Sequence, residues 1–141
     1  MCIDKYNSEG YYDPTTYEAL TQVEKEERKK AFKPVVYVCS PYAGDVENNT
    51  IMAREYCRFA VEQNCIPLAP HLLLPQFMDD DNPQERELAM FMNKVILSKC
   101  KELWVFGETV SKGMAVEIET AKKRNQTIRY FDSDCTEVFY E

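Results

Sequence analysis

Four short apolar runs punctuate the chain, and between them the apolar residues recur at helical spacing. "VVYVC" (Val35–Cys39), "CIPLAP", "ELWVF" and "TIRYF" are too short for helices and lack the in-out alternation of a half-exposed strand. Unbroken runs of this kind belong to strands covered on both faces. The segment "VENNTIMAREYCRFAVEQN" places Met52, Tyr56, Phe59 and Ala60 on one face of a helix. "ERELAMFMNKVILSKC" and "KGMAVEIETAKKRN" predict two more helices, and the terminal "TEVFY" reads as a short fifth strand near Val138 or a docked tail.

Strand and helix in alternation, with buried strands, predict an α/β domain over 35–141. Its parallel sheet of four to five strands is connected by right-handed crossovers. Residues 1–34 read as a separate N-terminal helical extension. Asp13 is its N-cap and Pro14 its first helical residue, and Tyr17, Leu20 and Val23 form a thin apolar stripe on a very charged helix. That helix either docks on something or stays solvated; the pattern supports both.

In parallel sheets, ligands bind beyond the carboxyl ends of the strands. Three segments meet that rim: "SPYAGD" after the first strand, "PHLLLPQFMDDDNP" after the second and "GETVSKGM" after the third. The middle one is expected to be a long irregular loop, of a length that usually carries function.

Charge narrows the ligand. The 141 residues carry 24 acidic against 17 basic side chains, a formal net charge of −7. That balance excludes non-specific binding to nucleic acid or an anionic membrane surface, yet leaves room for a small phosphorylated molecule. No apolar run is long enough to span a bilayer, and the N-terminus lacks the pattern of a secretion signal. The expected location is therefore cytoplasmic, with the six cysteines as reduced structural thiols. The single histidine, His71, leaves no cluster of metal ligands, so neither metal nor cofactor is expected.

Candidate chemistry comes from the helix after the third strand. With Met114 as origin, Met114, Ile118 and Ala121 form the face that packs on the sheet. Glu117 falls about 60° from its centre and Glu119 about 140° away. Glu119 therefore faces solvent with Lys123 as its i,i+4 partner, whereas Glu117 lies at the inner edge near the strand tips. Ser111 is the expected N-cap, and Gly113 lets a ligand approach the backbone closely. A carboxylate in that position is either a satisfied structural acid or a nucleophile beside an anion pocket.

"SKGMAVEIETA" (Ser111 to Ala121) resembles the signature of the nucleoside 2-deoxyribosyltransferases and the related deoxynucleoside 5′-monophosphate N-glycosidases, approximately S-x-G-x-x-x-E-x-G-x-A. "YVCSPY" is similar to that family's first strand and binding loop. The resemblance covers roughly Val35 to Phe131, and is nearest to an uncharacterised bacterial and phage-associated branch with "CSPYAGD" and "PHLL" segments. It implies a three-layer flavodoxin-like or Rossmann-like fold and a homo-oligomer. The implied reaction is retaining cleavage or transfer of an N-glycosidic bond, with Glu117 as nucleophile on the sugar of a nucleoside or nucleotide. Ser40, Gly44, Ser111 and the N–H groups of Gly113 and Met114 are then expected to hold a 5′-hydroxyl or 5′-phosphate.

Two departures stand out. Asn93 occupies the position of a family aspartate, and an amide cannot shuttle a proton at neutral pH. Glu119 replaces the second glycine. A proton donor has to come from Asp79, Asp80 or Asp81, or else the protein is a non-catalytic nucleotide-binding or sensing module of the same fold. Tyr42 and His71 are further rim candidates, for stacking or hydrogen bonding to a ligand. Arg86 is expected to pair with the acidic loop rather than with a phosphate, and Trp104 belongs to the core.

Overall fold

The computed structural model describes residues 21–24 and 32–140. The expected N-terminal helix lies outside the described residues except at 21–24, which are helical. From Pro34 onward the chain forms its own compact unit. In chain order its elements are β1 (Val35–Cys39), α1 (Val46–Glu62), β2 (Ile66–Leu68), α2 (Pro70–Leu73) and a 3₁₀ turn (Leu74–Gln76). There follow α3 (Pro83–Ser98), β3 (Glu102–Phe106), α4 (Lys112–Lys123), β4 (Thr127–Phe131) and β5 (Glu137–Val138).

The strands form one sheet in the order β2-β1-β3-β4-β5. β1 pairs in parallel with β2 and β3, and β3 with β4. This is the flavodoxin-like order, whose direction of winding reverses between β1 and β3. Helices cover both faces, so the apolar runs have partners on either side. Tyr37, Cys39, Leu103 and Val105 pack with Leu97 of α3 and with Met114, Ile118 and Ala121 of α4. Val36, Val38, Trp104, Phe106 and Phe131 pack with Tyr56 and Ala60 of α1. The second layer is aromatic: Phe106 stacks on Tyr56 and on Phe131 at centroid distances of 4.4 and 4.9 Å.

The four expected strands are parallel, and β5 is the fifth strand near Val138. It runs antiparallel to β4. A connection of a few residues can only fold back, because parallel neighbours need a long crossover. The turn is held by Asp132, whose carboxylate accepts from the backbone of Asp134 and Thr136 at 2.9 Å each. The hairpin is clamped by Arg129, which donates two hydrogen bonds to the Glu137 carboxylate at 2.8 and 2.7 Å. The same guanidinium lies over the Trp104 ring, 4.9 Å from its centroid.

The segment after β2 is also more ordered than its composition predicts. Pro70 opens a one-turn helix, where its missing N–H costs nothing, and the 3₁₀ turn then buries Leu74. Asn82 caps α3, accepting from the backbone of Gln84 and Glu85. All five described cysteines are free. No described helix is long and apolar enough to cross a membrane.

Candidate functional site

The reversal of strand order leaves a crevice where the chain departs from β1 and β3 in opposite directions. A cavity of about 630 Å³ opens there. That is within the range of small-molecule pockets, roughly 300–1,000 Å³. Ser40 and Tyr42 enter it from the end of β1, and His71 from α2. Asn93 enters from α3, and Ser111, Gly113, Met114 and Glu117 from α4 and its cap. Side chains from four segments of the chain thus converge on one space.

Gly44 does not line it. Its φ of +95° serves the turn into α1, where Asp45 is the cap and the Val46 N–H bonds the Gly44 carbonyl at 3.0 Å. A side chain there is disfavoured by backbone sterics, with no ligand involved.

Glu117 is the best-tethered group in the cavity wall. Tyr37, pointing up from β1, donates to its Oε1 at 2.8 Å, and the Cys39 thiol lies beside the same carboxylate and favours its charged form. Both side chains alternate onto the face of the sheet that α4 covers, which is why residues two apart reach one carboxylate. Burial raises the Glu117 carboxyl above its ordinary range, and the Cys39 thiol and Tyr37 hydroxyl pull it partly back. Burial, and then the Glu117 charge, push the Tyr37 phenol upward, so it stays a donor. Cys39 is raised in the same way, and the carboxylate has two fixed proton-bearing neighbours. Glu119 is exposed as expected, although no salt bridge to Lys123 forms among the described residues.

The helix N-terminus beside it is partly occupied by its own cap. Ser111 Oγ accepts from the Met114 N–H at 3.3 Å, and the Ser111 N–H points at the Met114 sulfur. This corrects the expectation that the Met114 N–H serves a ligand. The first-turn donors without an acceptor among the described residues are those of Lys112 and Gly113. A Cβ at Gly113 meets nothing within 4 Å, so that backbone faces open space.

On the opposite wall, Ser40 Oγ and His71 Nε2 share a hydrogen bond of 2.9 Å, and the Tyr42 ring stands edge-on to the imidazole at 6.4 Å. Ser40 is only 6% exposed. Burial lowers the His71 pKa to about 4, so the ring is neutral at pH 7.

Asn93 has a different character. It shares a small recess with Glu117, walled by Met90, Leu97 and Val116, and its Oδ1 is buried without any hydrogen-bond partner. Unpaired buried acceptors are uncommon and call for a partner. Of the three loop aspartates, Asp80 lines the cavity, whereas Asp79 turns back to accept from the Asp81 N–H. Arg86 also lines the cavity, and no carboxylate lies within salt-bridge distance of it among the described residues. The expected pairing with the acidic loop is therefore not made.

Two residues of this site escaped the sequence reading. Tyr37 and Cys39 sit inside an apolar run that reads as core, and the one available signal was their shared parity in β1.

The fold and cavity define an α/β protein with a half-buried, hydrogen-bonded carboxylate in its switch-point crevice. The chain belongs to the family of the domain of unknown function DUF7768, whose family model matches residues 34–131. No curated protein matches it.

Proposed function

We propose that the protein cleaves or transfers the N-glycosidic bond of a nucleoside or nucleotide, with Glu117 as the nucleophile. The observation that carries this reading is the bond from Tyr37 O–H to Glu117 Oε1 at the wall of the cavity. It holds one carboxylate oxygen in place beside the cavity. Glu117 attacks the anomeric carbon, the base departs, and a glycosyl ester remains until water or a second base displaces it. The Lys112 and Gly113 N–H groups, with the side chains of Lys112 and Arg86, suit an anionic or hydroxyl 5′ end. We also propose a homo-oligomer, supported by an exposed apolar stripe of Leu88, Phe91 and Val95 on α3; light scattering tests it.

The test is incubation with a panel of N-glycosides, neutral and cationic, with and without a 5′-phosphate, and chromatography for free base. Release by the wild type and its loss in Glu117→Ala is the expected result. Absence of release from every member of the panel overturns the reading. Asn93 favours a second reading, a binding or sensing module without turnover. In that case a nucleotide raises the melting temperature and no base appears.

A further inference from the structure

The reaction proposed above poses a problem of protons. When a neutral nucleoside loses its base, the departing nitrogen carries off the bonding electron pair and has to be protonated, which a placed acid accelerates by roughly 10²–10⁴-fold. In the recess shared with Glu117 the facing side chain is Asn93, whose amide has no proton to give. The remaining walls of that recess are Met90, Leu97, Val116 and Gly113, with Lys94 exposed at its rim. Asp80 is exposed, on the loop side of the main cavity. His71 is held neutral and tied to Ser40, and Tyr37 has its proton committed to the nucleophile. The Tyr42 hydroxyl and the Lys112 ammonium line the main cavity outside that recess, so the recess that holds the nucleophile contains no second carboxyl, phenol or imidazole to protonate a leaving base.

Resting on the N-glycosidic reading, we infer that the substrate is an N-glycoside whose base is already cationic, of the pyridinium carboxamide type. The chemistry closes without an acid. The Glu117 carboxylate forms a bond to C1′, the C1′–N⁺ bond breaks, and its electron pair neutralises the pyridinium nitrogen. The base leaves as a neutral amide with no proton transferred. Water then adds at C1′, the ester C–O bond breaks to restore the carboxylate, and the water proton passes to solvent. Asn93 supplies the complement. Its Oδ1 is buried without a partner and needs a donor, on a side chain that lines the cavity. A carboxamide offers one N–H and one C=O, which an asparagine amide pairs with both its groups. The Tyr42 ring in the same cavity suits the face of a cationic ring.

The test compares nicotinamide riboside and its 5′-phosphate with deoxyadenosine, deoxyinosine and their 5′-phosphates, on the full chain. The expected result is nicotinamide release with a kcat/KM at least about 10²-fold above that for the neutral substrates. The enzymatic rate on nicotinamide riboside, corrected for its spontaneous hydrolysis, rises once with pH and reaches a plateau, because no group has to stay protonated. Asn93→Asp is expected to speed the neutral substrates and, by losing the amide N–H that pairs with the carboxamide carbonyl, to slow release of nicotinamide. Neutral substrates cleaved within about tenfold of the cationic ones, or a falling alkaline limb, overturn the inference while leaving the N-glycosidic reading intact. Release from none of these substrates overturns both. The plateau is measured on the wild type, so the inference stays testable if the Asn93 variant fails to fold.

Discussion

The hydroxyl of Tyr37 meets the carboxylate of Glu117 at 2.8 Å across 80 residues of sequence. That bond ties the first strand to the helix after the third, at the point where the sheet reverses its winding. It also opposes the burial that raises the pKa of the group on which the proposed chemistry depends.

Removing the hydroxyl alone isolates its effect. In Tyr37→Phe the Glu117 carboxyl loses a bond that lowers its pKa, so its titration moves upward. The acidic limb of the rate profile for base release is expected to move to higher pH in the variant. A limb that stays in place removes Tyr37 from the positioning of Glu117.

Glu117 itself separates stability from activity. Its folded pKa lies above the unfolded one, so the folded state binds the extra proton, and stability falls as pH rises from about 4.5 through the folded value. At pH 7 the half-buried charge is a net cost. Glu117→Gln keeps an acceptor for Tyr37 and removes the charge, and is expected to raise the melting temperature while abolishing base release. Glu117→Ala leaves the Tyr37 hydroxyl without its acceptor and is expected to be the less stable of the two. Thermal melts of both variants at pH 7 decide this. Glu119→Ala, on the exposed face of α4, should retain most of the activity; equal loss in both positions would mean that the carboxylate in the cavity is not the nucleophile.

His71 predicts an acid sensitivity. Burial lowers its pKa to about 4 from an ordinary 6.5, so between those values the unfolded chain takes up a proton that the folded one refuses. Stability is then full above pH 6.5 and is lost as pH falls toward 4, by about 3 kcal/mol at most. Urea unfolding across that window in wild type and His71→Gln measures it. The variant should show a flatter dependence; an unchanged slope assigns the acid sensitivity to the carboxylates.

The β4–β5 hairpin is expected to depend on one guanidinium. Arg129 forms a two-bond fork with Glu137 and covers Trp104. Arg129→Ala should cost about 1–2 kcal/mol in urea unfolding, from a bidentate pair and a ring contact together. Arg129→Lys should recover little of it, since an ammonium has no planar fork. Full recovery by lysine would reduce the clamp to a simple charge effect.

Local periodicity by itself determined the strands, the three long helices and the inward face of Glu117. Each of these depends on residues within a few positions of one another, where the repeat of 2.0 or 3.6 residues already fixes direction. It also placed Ser40, Tyr42, His71, Ser111 and Gly113 around one rim, because strand ends and helix starts are readable as boundaries, whereas Asn93, in the middle of α3, was reached only through the family resemblance. What periodicity does not encode is which groups pair across the fold. Tyr37 and Cys39 look like core until α4 lays a carboxylate on them. Gly44 looks like a pocket glycine until its turn is seen to need the positive φ. The short helix that carries His71 to Ser40, the antiparallel return of β5, the unpaired Asn93 oxygen and the Met114 N–H taken by its own cap were likewise decided by packing. Hydrogen bonds between residues distant in sequence are chosen by the geometry of the assembled layers, and only the tertiary structure contains that geometry.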